Sequence, residues 1–158
     1  MKLPRLKFLF YLIFLSFSAT CVAQSWSLVT PEEMAAYSET IDQNSLGIRT
    51  SPVPLAPEIL VEAPDLSKGV RTPTDIKMVF RSPDGTKIRP DSFRVTYGKF
   101  GFDITARVLS RYRPSEVGLK VADVGLPPGK HVLTLSIADS LGREGSNRIV
   151  FNVQPPDK

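Results

Sequence analysis

The sequence predicts an all-β protein made of two packed antiparallel sheets, and three observations support this fold class. Short apolar segments alternate between two faces with period 2, turn residues separate these segments, and no long stretch has the 3.6-residue period of a helix. The clearest segment begins at His131, where Leu133, Leu135 and Ile137 alternate with Val132, Thr134, Ser136 and Ala138. This pattern predicts a strand with one buried face.

The C-terminal stretch 126–153 is predicted to be the closing hairpin of the sandwich. Asp139-Ser-Leu-Gly142 has the residue types of a turn, and Ile149, Phe151 and Val153 then continue the alternation. The same reasoning predicts earlier strands around Ile59–Val61, Ile76–Phe80, Phe93–Tyr97, Phe102–Val108 and Val117–Val121. Ser82-Pro-Asp-Gly85 and Gly98–Gly101 are predicted turns, the second joining a hairpin into Phe102–Val108. About seven strands of this length are typical of an immunoglobulin-like antiparallel β-sandwich.

Three local patterns carry a resemblance to a known class of domain. They are Ile88–Val95, Phe102–Val108, and Leu126–Leu135 followed by Asp139 and Gly142. With these patterns, residues 57–154 resemble the immunoglobulin-like and fibronectin type III-like domains of exported bacterial proteins. In fibronectin-type domains a tyrosine opens the sixth strand and anchors the corner through its hydroxyl group, but here His131 stands in that place. The resemblance implies a fold and no activity, because sandwiches host many unrelated functions.

The N-terminus has the composition of a signal peptide. Lys2, Arg5 and Lys7 precede the apolar stretch Phe8–Leu15. Residues 21–23 (Cys-Val-Ala) then place small or tolerated side chains at positions −3 and −1 of a cleavage site. We expect residues 1–23 to be removed by cleavage between Ala23 and Gln24. An uncleaved anchor and a lipoprotein modified at Cys21 are the alternatives, but Ser16, Ser18 and Thr20 interrupt the apolar run and the residues before Cys21 form a poor lipobox.

Export sets the location and redox chemistry that we expect. The mature chain would lie in the bacterial periplasm or be secreted, with no stable membrane span after cleavage. Because Cys21 is the only cysteine and lies in the segment that is removed, the mature chain would contain no thiol and no disulfide. The formal net charge of +4 also changes, since three of the 20 basic residues lie in residues 1–23, and the remainder has 17 bases against 16 acids. This near-neutral balance argues against a nucleic-acid partner.

Residues 24–56 are predicted to form a short helix and a proline-rich linker before the sandwich, with residues 155–158 as a tail. Thr30-Pro31-Glu32-Glu33 has the residues of a capping box, so we expect a helix from Pro31 to about Glu39. One interpretation of this region is a mobile spacer. The other is a docking helix in which Trp26 and one helix face bind the sandwich or a partner.

Residues that could support catalysis or metal binding are sparse. His131 is the only histidine, and its parity with Leu133 predicts a structural corner residue, although a general base or a metal ligand is the alternative. The aspartates occur mostly at predicted turns, and only a cation site assembled across loops from Asp103, Asp123 or Asp139 would use them. The sequence therefore predicts no enzyme, no cofactor and no metal site.

One stretch has the composition of a binding surface. Between positions 94 and 113 five basic residues face one acid, Asp103, and aromatic residues are interleaved with them. On the predicted hairpin Arg94, Thr96 and Arg107 share the outward parity, so they could hold an anionic polymer, a phospholipid headgroup or a glycan. The alternative is that these charges only keep an exposed sheet soluble. The candidate ligand-binding residues are Arg94, Lys99, Phe100, Arg107, Arg111, Tyr112 and Arg113.

The function predicted from these observations is a non-catalytic binding or interaction module of the bacterial periplasm or cell envelope. Its partner would be an envelope protein or a glycan. Two more specific hypotheses remain open. One is carbohydrate or peptidoglycan binding through the basic-aromatic hairpin 94–113, and the other is a structural accessory of an envelope protein assembly that makes contact through the helix or the edge strands.

Overall fold

The computed structural model describes residues 26–38 and 54–155, and its strands form two antiparallel sheets. The three-stranded sheet has the order β1-β2-β5, and the four-stranded sheet has the order β4-β3-β6-β7. This arrangement confirms the predicted all-β sandwich of seven strands. The elements in chain order are α1 (Pro31–Ser38), β1 (Glu58–Ala63), a 3-10 turn (Leu66–Lys68), β2 (Thr74–Arg81), β3 (Ile88–Tyr97), β4 (Phe102–Asp103), α2 (Thr105–Leu109), β5 (Gly118–Val124), β6 (Gly129–Asp139) and β7 (Glu144–Val153).

The closing hairpin has the register that its alternation predicts. Strands β6 and β7 pair from Gly129 opposite Val153 to Ala138 opposite Glu144. Gly142 adopts a φ of +78° in the connecting turn, a backbone conformation that favours glycine. The carboxylate of the buried Asp139 accepts hydrogen bonds from two backbone N–H groups of this turn and from the guanidinium group of Arg143. Leu133, Leu135 and Ile137, on one face of the hairpin, belong to the core between the sheets.

His131 is fully buried and hydrogen-bonds back to the chain that precedes β6. Its Nε2 lies 2.8 Å from the carbonyl oxygen of Pro127, which can only accept, so Nε2 carries the proton. Nδ1 then accepts a hydrogen bond from the hydroxyl group of Tyr97 at 2.9 Å. The imidazole ring also stacks on Phe151, with 5.6 Å between the ring centroids. The predicted structural role of this histidine is confirmed.

The predicted strand Phe102–Val108 is wrong beyond its first two residues. Strand β4 ends at Asp103, and α2 begins at Thr105. The backbone N–H of Thr105 donates to the Asp103 carboxylate at 2.7 Å, which turns the chain away from the sheet. Ile104 and Val108 are both buried, because a spacing of four residues places them on the same side of the helical turn. This spacing fits period 2 as well as period 3.6, so the pattern favoured the wrong element.

The segment before the sandwich packs against it. Leu28 donates its backbone N–H to the carbonyl of Gly125 at 2.9 Å, and Gly125 donates to the carbonyl of Trp26 at 2.8 Å, as in a short parallel strand pair. The side chains of Leu28 and Val29 are 3% and 1% exposed and belong to the core. The predicted signal peptide with its Ala23–Gln24 cleavage site, and most of the predicted linker, lie outside the described residues.

Helix α1 starts with the capping box that the sequence predicts. The Thr30 backbone N–H donates to the Glu33 carboxylate at 2.9 Å, and the Glu33 backbone N–H donates to the Thr30 hydroxyl group at 3.2 Å. Met34, one turn into the helix, lies against Gly129 at the start of β6. The helix is therefore fixed at its first turn and rests on the end of the four-stranded sheet.

Candidate binding site

The seven candidate binding residues do not form one face of a hairpin. Arg94 faces solvent from β3, whereas Lys99 and Phe100 lie in the turn between β3 and β4. Of the other four, Arg107 lies on α2, and Arg111, Tyr112 and Arg113 follow this helix. Arg107 lies on α2 rather than on a strand, so the predicted shared sheet face of Arg94, Thr96 and Arg107 is wrong. The structure divides the set into a contact with the N-terminal segment, a surface groove, an exposed turn and, for Arg94, the outward face of β3.

Arg107 holds the N-terminal segment. Its two terminal nitrogens donate to the two carboxylate oxygens of Glu33 at 2.7 and 2.6 Å, and one of them also donates to the carbonyl oxygen of Leu28 at 2.8 Å. Because this bidentate hydrogen bond stabilises the ionised form, the pKa of Glu33 falls from its ordinary 4.5 to about 2. The charge of Arg107 is therefore already neutralised within the protein.

Arg111 and Tyr112 contact the same segment through Trp26. The Tyr112 ring lies 5.6 Å from the Trp26 ring, and the guanidinium carbon of Arg111 lies 5.6 Å from the Trp26 ring centroid, within range of a cation–π interaction. The hydroxyl group of Tyr112 donates to the carbonyl oxygen of Ala122 at 2.7 Å. Tyr112 is thus fixed at both its ring and its hydroxyl group, and its position is set before any ligand arrives.

A surface groove of about 240 Å³ lies between the start of β3 and the chain that follows α2. It brings together Tyr112 and Arg113 from the candidate set with residues that the sequence did not single out. Asp91 supplies a carboxylate whose pKa is lowered by its hydrogen bond to Arg89, with 2.9 Å between the two side chains. The groove is lined by Pro90, Asp91, Leu109, Tyr112, Arg113 and Pro114.

The lining gives this groove the chemistry of a site for a small polar ligand. Proline rings, Leu109 and Tyr112 offer apolar surface, while Arg113 can donate and Asp91 can accept hydrogen bonds. Between the sheets, two apolar voids of about 20 and 10 Å³ are too small for a ligand. The groove has room for a sugar ring or a short peptide.

The outward face of the four-stranded sheet carries basic residues that the sequence reasoning missed. Lys130 on β6 and Arg148 on β7 share the outward parity with Arg94 and Thr96, and all of these side chains lie at solvent-facing positions of the register. The signal was present, because Lys130 precedes His131 and Arg148 precedes Ile149 in the predicted closing hairpin. The basic sheet face therefore exists, but it is built from three strands rather than from one hairpin.

The structure separates the residues considered for a metal site or for catalysis. Asp103 lies at the end of the sandwich where β3 meets β4, while Asp139 lies at the opposite end beside the β6–β7 turn. Both ring nitrogens of His131 are engaged. Within residues 26–38 and 54–155, no group of three or more histidine, cysteine, aspartate or glutamate side chains is placed to hold a metal ion.

No helix in the described part of the chain is both long enough and apolar enough to cross a membrane.

Comparison with known proteins adds one distant likeness. No family model matches the chain, and no curated protein matches it. Among solved structures, the chain is similar to CopC from Methylosinus trichosporium OB3b, with 15% sequence identity over 64% of this chain and 98% of CopC and a TM-score of 0.40. A likeness at this level carries no argument about ligand or activity. The assignment as a β-sandwich rests on the two sheets themselves, and the narrower resemblance to immunoglobulin-like domains stays a prediction.

Proposed function

We propose that the protein is a non-catalytic exported binding module of the bacterial periplasm or cell envelope, and that its ligand binds in the groove beside α2. One observation carries this proposal. The groove has a wall in which Tyr112 is already fixed by Trp26 and Ala122, and it presents a cation, Arg113, and the carboxylate of Asp91, which pairs with Arg89 through Oδ2 and keeps Oδ1 as an acceptor. A preorganised aromatic residue with separate donor and acceptor groups binds a ligand at low entropic cost.

A glycan, and in particular a fragment of peptidoglycan, fits this groove best. Sugar rings present apolar C–H faces that pack on aromatic and proline rings, and their hydroxyl groups accept from arginine and donate to carboxylates. Tyr112, Arg113 and Asp91 offer these groups within one groove. Peptidoglycan also carries short peptides with carboxylates, for which the guanidinium group of Arg113 is a suitable partner.

The single histidine supports a non-catalytic role. A general base or a nucleophilic triad would need an accessible imidazole, but His131 is 0% exposed and uses one ring nitrogen on Tyr97 and the other on Pro127. Burial also lowers the pKa of His131, which keeps the ring neutral. The chain therefore uses its one imidazole for the corner of the fold.

Isothermal titration of the purified protein with soluble peptidoglycan fragments tests the proposal. We expect saturable binding, with Arg113→Ala and Asp91→Asn each weakening the affinity at least about tenfold, as expected for loss of a charged hydrogen bond. Arg148→Gln is the matched control, because it removes one exposed charge from the outer sheet face and should leave the affinity unchanged. Equal affinities for all four proteins, or no binding by the folded wild type, would refute the proposed site.

A further inference from the structure

We propose that the end of the sandwich that carries the β3–β4 turn binds the surface of an anionic phospholipid bilayer, with Phe100 entering the headgroup region. The residues involved are Lys99, Phe100, Lys130 and Arg148, which we call the basic tip. Groove binding does not use these residues. The inference goes beyond the proposed function and stands on a separate set of observations.

Phe100 is the first of these observations. Its side chain is 75% exposed, the highest value among the large apolar side chains of the described chain. The turn that holds it is well defined, since Gly98 and Gly101 adopt φ values of 74° and 68° on either side and the Gly98 N–H donates to the Val132 carbonyl at 2.9 Å. A fixed turn thus keeps most of an aromatic ring exposed to solvent.

Basic residues surround this turn in the register of the four-stranded sheet. Tyr97, just before the turn, pairs with Leu133, so Lys130 lies at the same end of the sheet as Lys99. Arg148 is opposite Thr134 and faces outward, and Val150 beside it is 49% exposed. The outward surface near the turn therefore combines positive charge with a second apolar side chain.

Two carboxylates at this end already have cation partners. Asp65 pairs with Lys68 at 3.1 Å, and Asp75 pairs with Lys120 at 3.0 Å, so each of these two acids already has a cation of its own. Hydrogen bonds from Thr105, including its backbone N–H, lower the pKa of Asp103, so this carboxylate stays ionised and offsets one of the three cations of the basic tip. The basic tip thus keeps an excess of positive charge that would face a negatively charged surface.

An anionic bilayer supplies both interactions that the basic tip offers. Lysine and arginine gain electrostatic energy near anionic headgroups, and an aromatic ring gains from entering the boundary between headgroups and acyl chains. A soluble polyanion would satisfy the cations but leave Phe100 in water. The exposed ring therefore favours a lipid surface over an anionic polysaccharide.

The test is co-sedimentation of the purified protein with vesicles of phosphatidylglycerol and phosphatidylethanolamine at low salt. We expect binding to these vesicles and little binding to vesicles of phosphatidylcholine alone. Phe100→Ser should lower the partition coefficient about tenfold or more, because it removes a ring that enters the interface. Lys99→Gln, Lys130→Gln and Arg148→Gln should each lower it about fivefold, and added salt should weaken the binding further.

Two control substitutions lie at the opposite end of the sandwich. Lys87→Gln removes one exposed positive charge, and Val117→Ser removes an apolar side chain that is 73% exposed. Both should bind like the wild type. The proposal is overturned if the wild type does not bind phosphatidylglycerol vesicles, if Phe100→Ser binds as well as wild type, or if dextran sulfate binds the wild type and Phe100→Ser equally well and displaces both from the vesicles. Peptidoglycan-fragment affinity should be unchanged in Phe100→Ser, which separates this site from the groove.

Discussion

The ion pair between Glu33 and Arg107 should make the N-terminal segment contribute measurably to the stability of the sandwich. The two residues are 74 positions apart, and their side chains are 23% and 32% exposed. The fall in the Glu33 pKa from 4.5 to about 2 sets an upper limit of about 3 kcal/mol for the stabilisation of the ionised form. Partial exposure and solvent screening reduce this to a coupling energy of about 1–2 kcal/mol.

A double-mutant cycle measures that energy. Glu33→Gln, Arg107→Leu and the double variant would be unfolded with urea at pH 7, and the coupling energy follows from the four free energies of unfolding. The matched control is the exposed pair Glu62–Lys77 at 2.8 Å, whose side chains are 42% and 57% exposed and for which we expect less than about 0.5 kcal/mol. Equal coupling energies for the two pairs would refute the role assigned to Arg107.

The pH dependence of the same cycle has a definite sign. Since the pKa of Glu33 is lower in the folded protein than in the unfolded chain, the unfolded chain takes up a proton first as the pH falls. The contribution of the pair is therefore fully present above about pH 4.5 and is lost progressively between pH 4.5 and about 2. Urea titrations at pH 7 and at pH 3 would show a smaller coupling energy at the lower pH.

Three further predictions concern the fold. His131→Phe should lower the free energy of unfolding by about 2–3 kcal/mol, since it removes the two hydrogen bonds that the buried imidazole makes to Tyr97 and Pro127. It should also abolish the histidine-dependent loss of stability of the wild type below pH 6.5, which arises because burial lowers the histidine pKa and which a single proton limits to about 1.4 kcal/mol per pH unit. Urea titrations from pH 7.5 to 5 measure both effects. Leu28→Ala should cost about 2–4 kcal/mol in the same assay, because it opens a cavity in the core, and a cost under about 0.5 kcal/mol would contradict its burial. Gly145→Ala should cost more than Gly142→Ala, because a Cβ at Gly145 would clash with the backbone carbonyl of Pro57, whereas a Cβ at Gly142 meets open space and costs only the strain of the positive φ. Thermal unfolding would rank the two.

The sequence predicts the sandwich well where local pattern and tertiary contact agree. The alternation from Leu133 to Ile137, the turn at Gly142 and the capping box at Thr30 each depend on neighbours a few residues away, and all are present in the structure. The same local reasoning fails at Ile104 and Val108, whose spacing satisfies a strand and a helical turn equally. The backbone N–H of Val95 donates to the hydroxyl group of Thr105, ten residues away, and a local apolar pattern cannot indicate a contact of this kind.

The candidate site was less accessible to sequence reasoning because it depends on distant contacts. Nothing near Arg107 in the sequence indicates that Glu33 neutralises it, and nothing near Tyr112 indicates that Trp26 packs on its ring. The groove likewise joins Asp91 to Arg113 across a change from strand to helix that the pattern did not predict. Parity alone, in contrast, would have placed Lys130 and Arg148 on the outer sheet face, although neither was among the predicted binding residues.

The most direct test of the central claim is a map of amide chemical shifts in the ¹⁵N-labelled protein during titration with soluble peptidoglycan fragments. Binding in the groove predicts saturable shifts concentrated at Asp91, Leu109, Tyr112 and Arg113, with little change at Lys130 or Arg148 on the outer sheet face. Shifts confined to residues outside the groove, or none at any fragment concentration with the spectrum of a folded protein, would contradict the account.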